Sequence, residues 1–393
     1  MENGKLKILF VCGGSAGHIN PALAIAEELR KRSLETEILF VGADKTLEKR
    51  LIPEAGFKLV NIRMSGLRRG FSPGDILHNV KTVLNLISAS LKANKLLKEF
   101  NPDAVIGTGG YICYPVLKRA TKRRIPTFLL EPNAYPGLAV RMLDKAVDKI
   151  FVTYKGIESR FRKPDKVIYT GTPLRREFTE TITDGDIDAD NGQASDKPLV
   201  VSYWGSTGAT GMNNKIIDFI ARNSKEQKFN HIHAAGIGGS VDEIKEKLKS
   251  LGLAEIDAPL IDIREYINNM SAVLKKADLV LTRAGASTIA ELTATGTPAV
   301  LIPSPNVTEN HQEENARQLQ KTGGAVMVLE NECTGDMLFE TAMAILNDKN
   351  RRQDMASSLK TQFIPDSASK IVDIVQGSLG DNNMEGALSH GGE

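Results

Sequence analysis

The residues best placed to do chemistry fall in two glycine-rich turns. Gly13-Gly14-Ser15-Ala16-Gly17-His18 follows the apolar run Ile8 to Cys12, and Gly205-Ser206-Thr207-Gly208 follows Leu199 to Tyr203. Glycines tolerate positive φ and let the backbone approach a ligand closely, while a following helix presents amides that lack intrahelical partners. Such a turn suits a phosphate or pyrophosphate. In the first turn the helix is predicted from Pro21 to Arg30. Its spacing is neither the dinucleotide pattern G-x-G-x-x-G nor a P-loop ending in lysine and a hydroxyl residue. On residues alone it is either a ligand-contacting turn or a tight strand-to-helix connection. His18 sits where an imidazole, titrating near neutrality, suits proton transfer or hydrogen bonding to an anion, or serves structure alone.

Further candidates stand at other strand ends. Gly109-Gly110-Tyr111 follows Ala104 to Gly107, and Glu131-Pro132-Asn133 follows Thr127 to Leu130. In the second half, Arg283-Ala284-Gly285-Ala286-Ser287-Thr288 follows Leu279 to Thr282 and precedes a helix containing Glu291. Small residues there would let helix amides meet a diphosphate, and the paired oxygens of Glu291 match adjacent ribose hydroxyls. Alternatively, Glu291 is a solvated helix residue. After Ala299 to Ile302, the loop Pro303-Ser304-Pro305-Asn306 leads to His311-Gln312-Glu313-Glu314-Asn315, a polyol-recognition loop or an ordinary polar helix start. His311 lacks partners at metal-ligand spacing.

The elements that must carry these residues alternate. Strand candidates Ile8–Cys12, Glu37–Val41, Ala104–Gly107, Thr127–Leu130 and Lys149–Thr153 are separated by helical segments. A second series runs through Leu199–Tyr203, Asn230–Ala235, Leu260–Ile263, Leu279–Thr282, Ala299–Ile302 and Ala325–Leu329. Short apolar runs between helices predict two parallel α/β sheets, with the turns along their C-terminal edges, where such sheets bind ligands. Thr181 to Lys197, carrying Asp184, Asp186, Asp188, Asp190 and Asp196, reads as an exposed acidic connection. The predicted organisation is an N-terminal domain over 1–170, a linker or surface insertion over 171–198 and a C-terminal domain over 199–360. A C-terminal helix over 361–379 then packs back on the first domain, and a disordered tail occupies 380–393.

A chain of 393 residues with 41% apolar content supports two globular domains. A net charge of +2 gives no general case for nucleic acid. Cys12, Cys113 and Cys333 show neither pairing logic nor metal spacing, as expected in a reducing compartment. Met1 to Lys7 are polar and lead straight into the first strand candidate, so no signal peptide is expected, and no apolar run is long enough to cross a bilayer. Between Met64 and Phe100, Arg63, Arg68, Arg69, Lys81, Lys92, Lys95 and Lys98 are interleaved with Ile76, Val80, Val83, Leu84, Ile87 and Leu91 at helix spacing. That stripe either packs on the sheet, the reading favoured by the residues alone, or lies on an anionic membrane.

Taken in order from Lys7 to Leu329, these motifs resemble those of the bacterial peptidoglycan N-acetylglucosaminyltransferases that convert lipid I to lipid II. The resemblance implies a GT-B fold, two Rossmann-like parallel-sheet domains facing a cleft. It implies UDP-N-acetylglucosamine as donor and undecaprenyl-pyrophosphoryl-N-acetylmuramyl-pentapeptide, lipid I, as acceptor. It further implies peripheral attachment to the anionic cytoplasmic face of the membrane, cell-wall synthesis proteins among the partners, and neither a metal nor another cofactor. The stripe from Ile76 to Leu91 then shifts toward partial membrane contact, with some of it still packing internally.

Carried over residue by residue, the resemblance gives Gly14, Ser15, Gly17, His18, Gly109, Gly110, Tyr111 and Asn133 to the acceptor. His18 and Asn133 take the catalytic positions. Arg175, Ser206, Arg283, Ala286, Ser287, Glu291, His311 and Gln312 go to the donor, with Arg175 offsetting phosphate charge. The chemistry would be an inverting displacement with His18 as candidate base. Three positions depart from the pattern: Trp204 and Ala16 stand where glycine is usual, and Pro132 where glutamine is usual. They put turn geometry and polar contacts in question. Another GT-B transferase with a different acceptor and a non-catalytic sugar-lipid binding protein are the alternatives, and the missing dinucleotide fingerprint disfavours a dehydrogenase.

Overall fold

The computed structural model describes residues 5–33, 35–44, 46–64, 66, 72–179, 196–253 and 260–389, excepting the side chains of 46, 308 and 381–389. Most of the acidic connection, 180–195, and both Arg68 and Arg69 lie outside the described residues. The chain divides into two compact units, Met1–Arg175 with Asp366–Glu393, and Arg176–Pro365.

The first unit runs β1 (Lys7–Cys12), α1 (Ala16–Arg32), β2 (Glu37–Gly42), α2 (Thr46–Glu54), β3 (Lys58–Asn61), α3 (Pro73–Phe100), β4 (Ala104–Gly109) and α4 (Cys113–Lys122). It continues with β5 (Thr127–Glu131), α5 (Leu138–Leu143), β6 (Lys149–Val152) and β7 (Val167–Tyr169). Its seven strands are ordered β3-β2-β1-β4-β5-β6-β7 and pair in parallel. Ile8 to Cys12 are wholly buried, as expected of a central strand covered on both faces. Phe10 stacks on Phe40 with ring centroids 5.0 Å apart, and both sit in a core that α1 covers with Ile19, Leu23 and Ile25.

The second unit runs α6 (Arg176–Thr179), β8 (Leu199–Tyr203), α7 (Thr210–Glu226), β9 (Asn230–Ala234), α8 (Val241–Ser250), β10 (Ile261–Arg264), α9 (Met270–Lys276) and β11 (Leu279–Thr282). Then come α10 (Ala286–Thr295), β12 (Ala299–Leu301), α11 (His311–Lys321), β13 (Ala325–Met327), α12 (Gly335–Leu346) and α13 (Lys349–Gln362). Its six strands are ordered β10-β9-β8-β11-β12-β13, again parallel. In each sheet the strand order reverses beside the first strand, between β1 and β4 and between β8 and β11. Such a reversal is the place where open α/β sheets form a ligand crevice at the C-terminal strand ends.

The chain returns to the first unit through α14 (Ser367–Ser389), which buries Ile371, Val372 and Val375 in the α1 side of that core. Arg32 reaches Asp373, and the Lys370 ammonium donates to the Tyr169 carbonyl at 2.8 Å. The helix continues through Ser389, where the composition suggested a disordered tail from 380. Once a docked apolar face has nucleated a helix, each added residue costs little, so glycines and asparagines are carried along. Residues 390–393 lie outside the described residues.

Two other expectations are corrected. Helix α1 begins at Ala16, with Ser15 at its N-cap and Pro21 inside it, rather than at Pro21. On α3, the stripe expected to pack on the sheet instead faces outward. Ile76, Leu77, Val80, Val83, Leu84, Ile87 and Leu91 are each at least 52% exposed, while Thr82, Ala89, Ala93 and Leu97 form the buried face. Small residues let α3 lie close to its neighbour, and Arg119 on α4 donates to the Ser90 hydroxyl at 2.7 Å. Among the described residues no helix is long and apolar enough to cross a membrane.

Candidate functional site

The first crevice is formed by the ends of β1, β4 and β5. The Gly14 N–H donates to Glu48 Oε1 on α2 at 2.8 Å, and the Gly13 carbonyl lies 3.0 Å from His18 Nδ1. A carbonyl only accepts, so Nδ1 carries the proton of that bond and the neutral ring has its lone pair on Nε2. Ser15 Oγ stands 3.3 Å from the same nitrogen, and the Thr108 hydroxyl donates to the His18 carbonyl at 2.6 Å. Gly109 and Gly110 have φ of +120° and +90°. An added Cβ would strike the His18 ring at the first and the Gly13 carbonyl at the second, so close approach dictates both glycines.

The amides expected to meet a diphosphate between Gly14 and His18 need one correction. Gly14 is committed to Glu48 and the His18 N–H to the Ser15 carbonyl at 3.1 Å, which leaves the amides of Ser15, Ala16 and Gly17 at the helix start. Ala16 has no positive φ, so the turn does not require glycine there.

At the end of β5, Glu131 is 2% exposed and organises the next turn. Its Oε1 accepts from the Asn133 backbone at 2.9 Å and the Asn133 side-chain amide at 3.0 Å, while Oε2 accepts from the Gly137 N–H at 2.7 Å. Burial raises its pKa from 4.5 to about 7 against the opposing pull of these bonds. None of the three bonds uses residue 132, so Pro132 leaves this scaffold intact. Tyr111 is half-exposed beside Gly66, whose Cβ position its ring occupies.

The second crevice gathers the ends of β8, β9, β11 and β12. Gly205 and Gly208 have φ of +86° and +72°. The carbonyls of Ser206 and Thr207 accept from Ile237 at 3.0 Å and Gly238 at 3.2 Å, joining this turn to Gly236-Ile237-Gly238-Gly239 after β9. That second glycine run belongs to none of the turns singled out from the sequence. Trp204 is 3% exposed and belongs to the apolar core, with its ring against His233, so the indole points inward and requires no unusual backbone.

Beyond β11, Gly285 caps α10, placing Ala286 and Ser287 at the helix start and Glu291 a turn further on, half-buried. The Ser287 hydroxyl is buried with no protein partner among the described residues, the kind of orphaned donor that a ligand oxygen satisfies. Arg283, expected to face the donor, is 7% exposed and anchored inward: its guanidinium bonds the Ile302 carbonyl at 3.1 Å and Glu330 Oε2 at 2.7 Å. Glu330 was missed because nothing links it to Arg283 along the chain. Gln312 Oε1 accepts from the Ser304 N–H at 2.9 Å, and the Asn315 side chain donates to the Ala284 carbonyl at 3.2 Å. These bonds bring the loops after β11 and β12 together at α11, which starts at His311. Arg175 is the last residue of the first unit's N-terminal segment, half-buried.

Two parallel sheets, each with glycine turns and helix starts at its switch point, are the paired Rossmann-like domains of a GT-B type fold. Residues 8–152 match the glycosyltransferase family 28 N-terminal domain, and residues 200–371 match the glycosyltransferase family 28 C-terminal domain. The chain is 39% identical over 371 residues to the UDP-N-acetylglucosamine--N-acetylmuramyl-(pentapeptide) pyrophosphoryl-undecaprenol N-acetylglucosamine transferase of Acetivibrio thermocellus, covering 94% of this chain and 98% of that one. A Listeria monocytogenes protein of the same name is 37% identical, covering 94% and 99%. This chain belongs to that transferase family. The crystal structure of Acinetobacter baumannii MurG shares the fold with a TM-score of 0.72 at 22% identity, covering 95% of this chain and 99% of that one. A Staphylococcus aureus MnaA structure with UDP gives 0.70 at 14% identity, covering 95% and 97%.

Proposed function

We propose that this chain transfers N-acetylglucosamine from UDP-N-acetylglucosamine to the C4 hydroxyl of the muramyl sugar of undecaprenyl-pyrophosphoryl-N-acetylmuramyl-pentapeptide, yielding lipid II and UDP. The observation that carries the reading is the 39% identity, over nearly the whole chain, to a transferase named for that reaction. The N-terminal domain takes the acceptor, with the diphosphate near the Ala16 and Gly17 amides and the sugar near His18, Tyr111 and Asn133. The C-terminal domain takes the donor. Ser206, Ala286 and Ser287 meet its diphosphate, Glu291 the ribose, and His311 and Gln312 the sugar hydroxyls. Arg175 offsets phosphate charge, and Arg283 holds the β11 turn from behind.

The acceptor oxygen bonds to the anomeric carbon as the bond to UDP breaks, and the bonding pair leaves on the β-phosphate oxygen. The hydroxyl proton passes to His18 Nε2. Amides, hydroxyls and Arg175 aimed at the leaving diphosphate stabilise its growing charge, so the reading needs no metal. The outward stripe of α3, flanked by exposed Lys81, Lys92, Lys95 and Lys98, supports docking on the anionic cytoplasmic face of the membrane, where this lipid acceptor is presented.

Radiolabelled UDP-N-acetylglucosamine supplied with a short-chain lipid I analogue tests this. Label in the disaccharide lipid, unchanged by a chelator, is expected. Absence of transfer under conditions that support a close relative overturns the reaction, and loss on chelation overturns the metal-free mechanism.

A further inference from the structure

Glu48 belongs to no motif that the sequence singles out, yet it is wholly buried behind the first glycine turn. It lies in the first turn of α2, and its side chain is wedged against two backbones. A Cβ on Gly13 would stand 2.8 Å from its Oε1, and one on Gly42 would stand 3.2 Å from its Cβ. Oε1 accepts the Gly14 N–H, whereas Oε2 is buried with no hydrogen-bond partner among the described residues. The Gly14 N–H and the Gly13 carbonyl belong to one planar peptide group. That carbonyl takes the His18 Nδ1 proton at 3.0 Å. A single peptide is therefore gripped at both ends, by a carboxylate on one side and the imidazole on the other.

Resting on the proposed role of His18 as base, we propose that Glu48 is its positioning carboxylate, acting through the Gly13–Gly14 peptide rather than by direct contact. Hydrogen bonds in series polarise one another, so a carboxylate on the N–H makes the Gly13 carbonyl a stronger acceptor. A stronger acceptor holds the proton on Nδ1, directs the lone pair to Nε2 and stabilises the imidazolium formed when Nε2 takes a proton. A directly bonded aspartate does this in serine-protease triads. Here the carboxylate is set back by one peptide.

Other titratable groups around the turn are the thiols of Cys12 on β1 and Cys113 on α4, Tyr111, and Glu131 on β5. Burial pushes both thiols up, Cys113 to about 12, so they stay neutral at assay pH. Glu131 titrates near 7 and needs a control.

The test is Glu48→Gln, which keeps an oxygen acceptor for Gly14 and removes the charge. Imidazole nitrogen signals of the full-length protein, with His18 identified by its loss in His18→Asn, give tautomer and titration midpoint without turnover. The wild type should show the proton on Nδ1, and the variant's midpoint should fall by about 0.5 to 1 pH unit. The acid limb of kcat should move down equally, and by the same amount when the comparison is made in a Glu131→Gln background. An unmoved midpoint, or a wild-type proton on Nε2, overturns the relay. Failure of the wild type to transfer sugar would instead overturn the proposed reaction, leaving the nitrogen signals to judge the relay. Should Glu48→Gln not fold, Glu48→Asp, which draws the charge back from Gly14, must shift the midpoint in the same direction.

Discussion

Glu131 makes the stability of the first domain depend on pH in a direction opposite to that of a salt-bridged carboxylate. Its folded pKa of about 7, against an ordinary 4.5, means that the folded state holds a proton which the unfolded state releases between those values. Stability from this group is fully present below pH 4.5 and is lost as pH rises through 7. At 1.36 kcal/mol per pH unit, the loss amounts to about 3 kcal/mol. Glutamine at 131 cannot titrate. It adds a roughly constant cost of about 1–3 kcal/mol because its NH2 faces the Gly137 N–H, which then lacks its 2.7 Å acceptor. The stability of the wild type relative to Glu131→Gln should therefore fall by about 3 kcal/mol between pH 4.5 and pH 8, taking the variant from less stable than the wild type to equally or more stable. For a domain of this size that is roughly 6–12 °C in relative Tm. Scanning calorimetry of both proteins at half-unit pH steps measures it. Parallel Tm curves across that range would refute the reasoning, because they would mean that Glu131 ionises alike folded and unfolded.

Three further outcomes follow from the geometry. Glu330→Ala strands the Arg283 guanidinium, only 9% exposed at its side chain, and should cost about 2–4 kcal/mol by urea unfolding while weakening UDP binding; unchanged stability would remove Arg283 from its anchoring role. Glu291→Ala should weaken UDP binding about 10- to 100-fold in calorimetric titration yet leave 2′-deoxy-UDP binding much less affected, and equal losses for both nucleotides would exclude the ribose contact. Leu84→Glu with Ile87→Glu removes two side chains that are 61% and 57% exposed, and should weaken binding to phosphatidylglycerol vesicles at least tenfold while transfer to a water-soluble acceptor persists; undiminished vesicle binding would place the docking surface elsewhere.

Central strands were legible because burial on both faces demands unbroken apolar runs such as Ile8 to Cys12. The strands Lys58–Asn61 and Val167–Tyr169 were not, since each pairs on one side only and mixes exposed or half-exposed positions into a very short run. Strand ends and their glycine turns located the candidate residues, because parallel topology puts those turns on one edge. Periodicity on α3 revealed an apolar stripe without telling which face is inside; the answer lay in Ala89 and Ala93, whose small size admits the neighbouring helix. Glu48 looks like one charge among several in Lys45-Thr46-Leu47-Glu48-Lys49-Arg50, and only the fold carries it to Gly14 across 34 residues. Arg283 and Glu330 are likewise joined by the order of β11, β12 and β13 rather than by any local pattern.

The most direct test of the account is turnover by His18→Ala beside the wild type, with radiolabelled UDP-N-acetylglucosamine, a lipid I analogue and a parallel UDP binding titration. The account predicts efficient transfer by the wild type and a loss of about 100- to 10,000-fold in kcat for the variant, with UDP affinity within about twofold. Near-normal turnover by His18→Ala would contradict it, as would a wild type that binds the donor and transfers nothing.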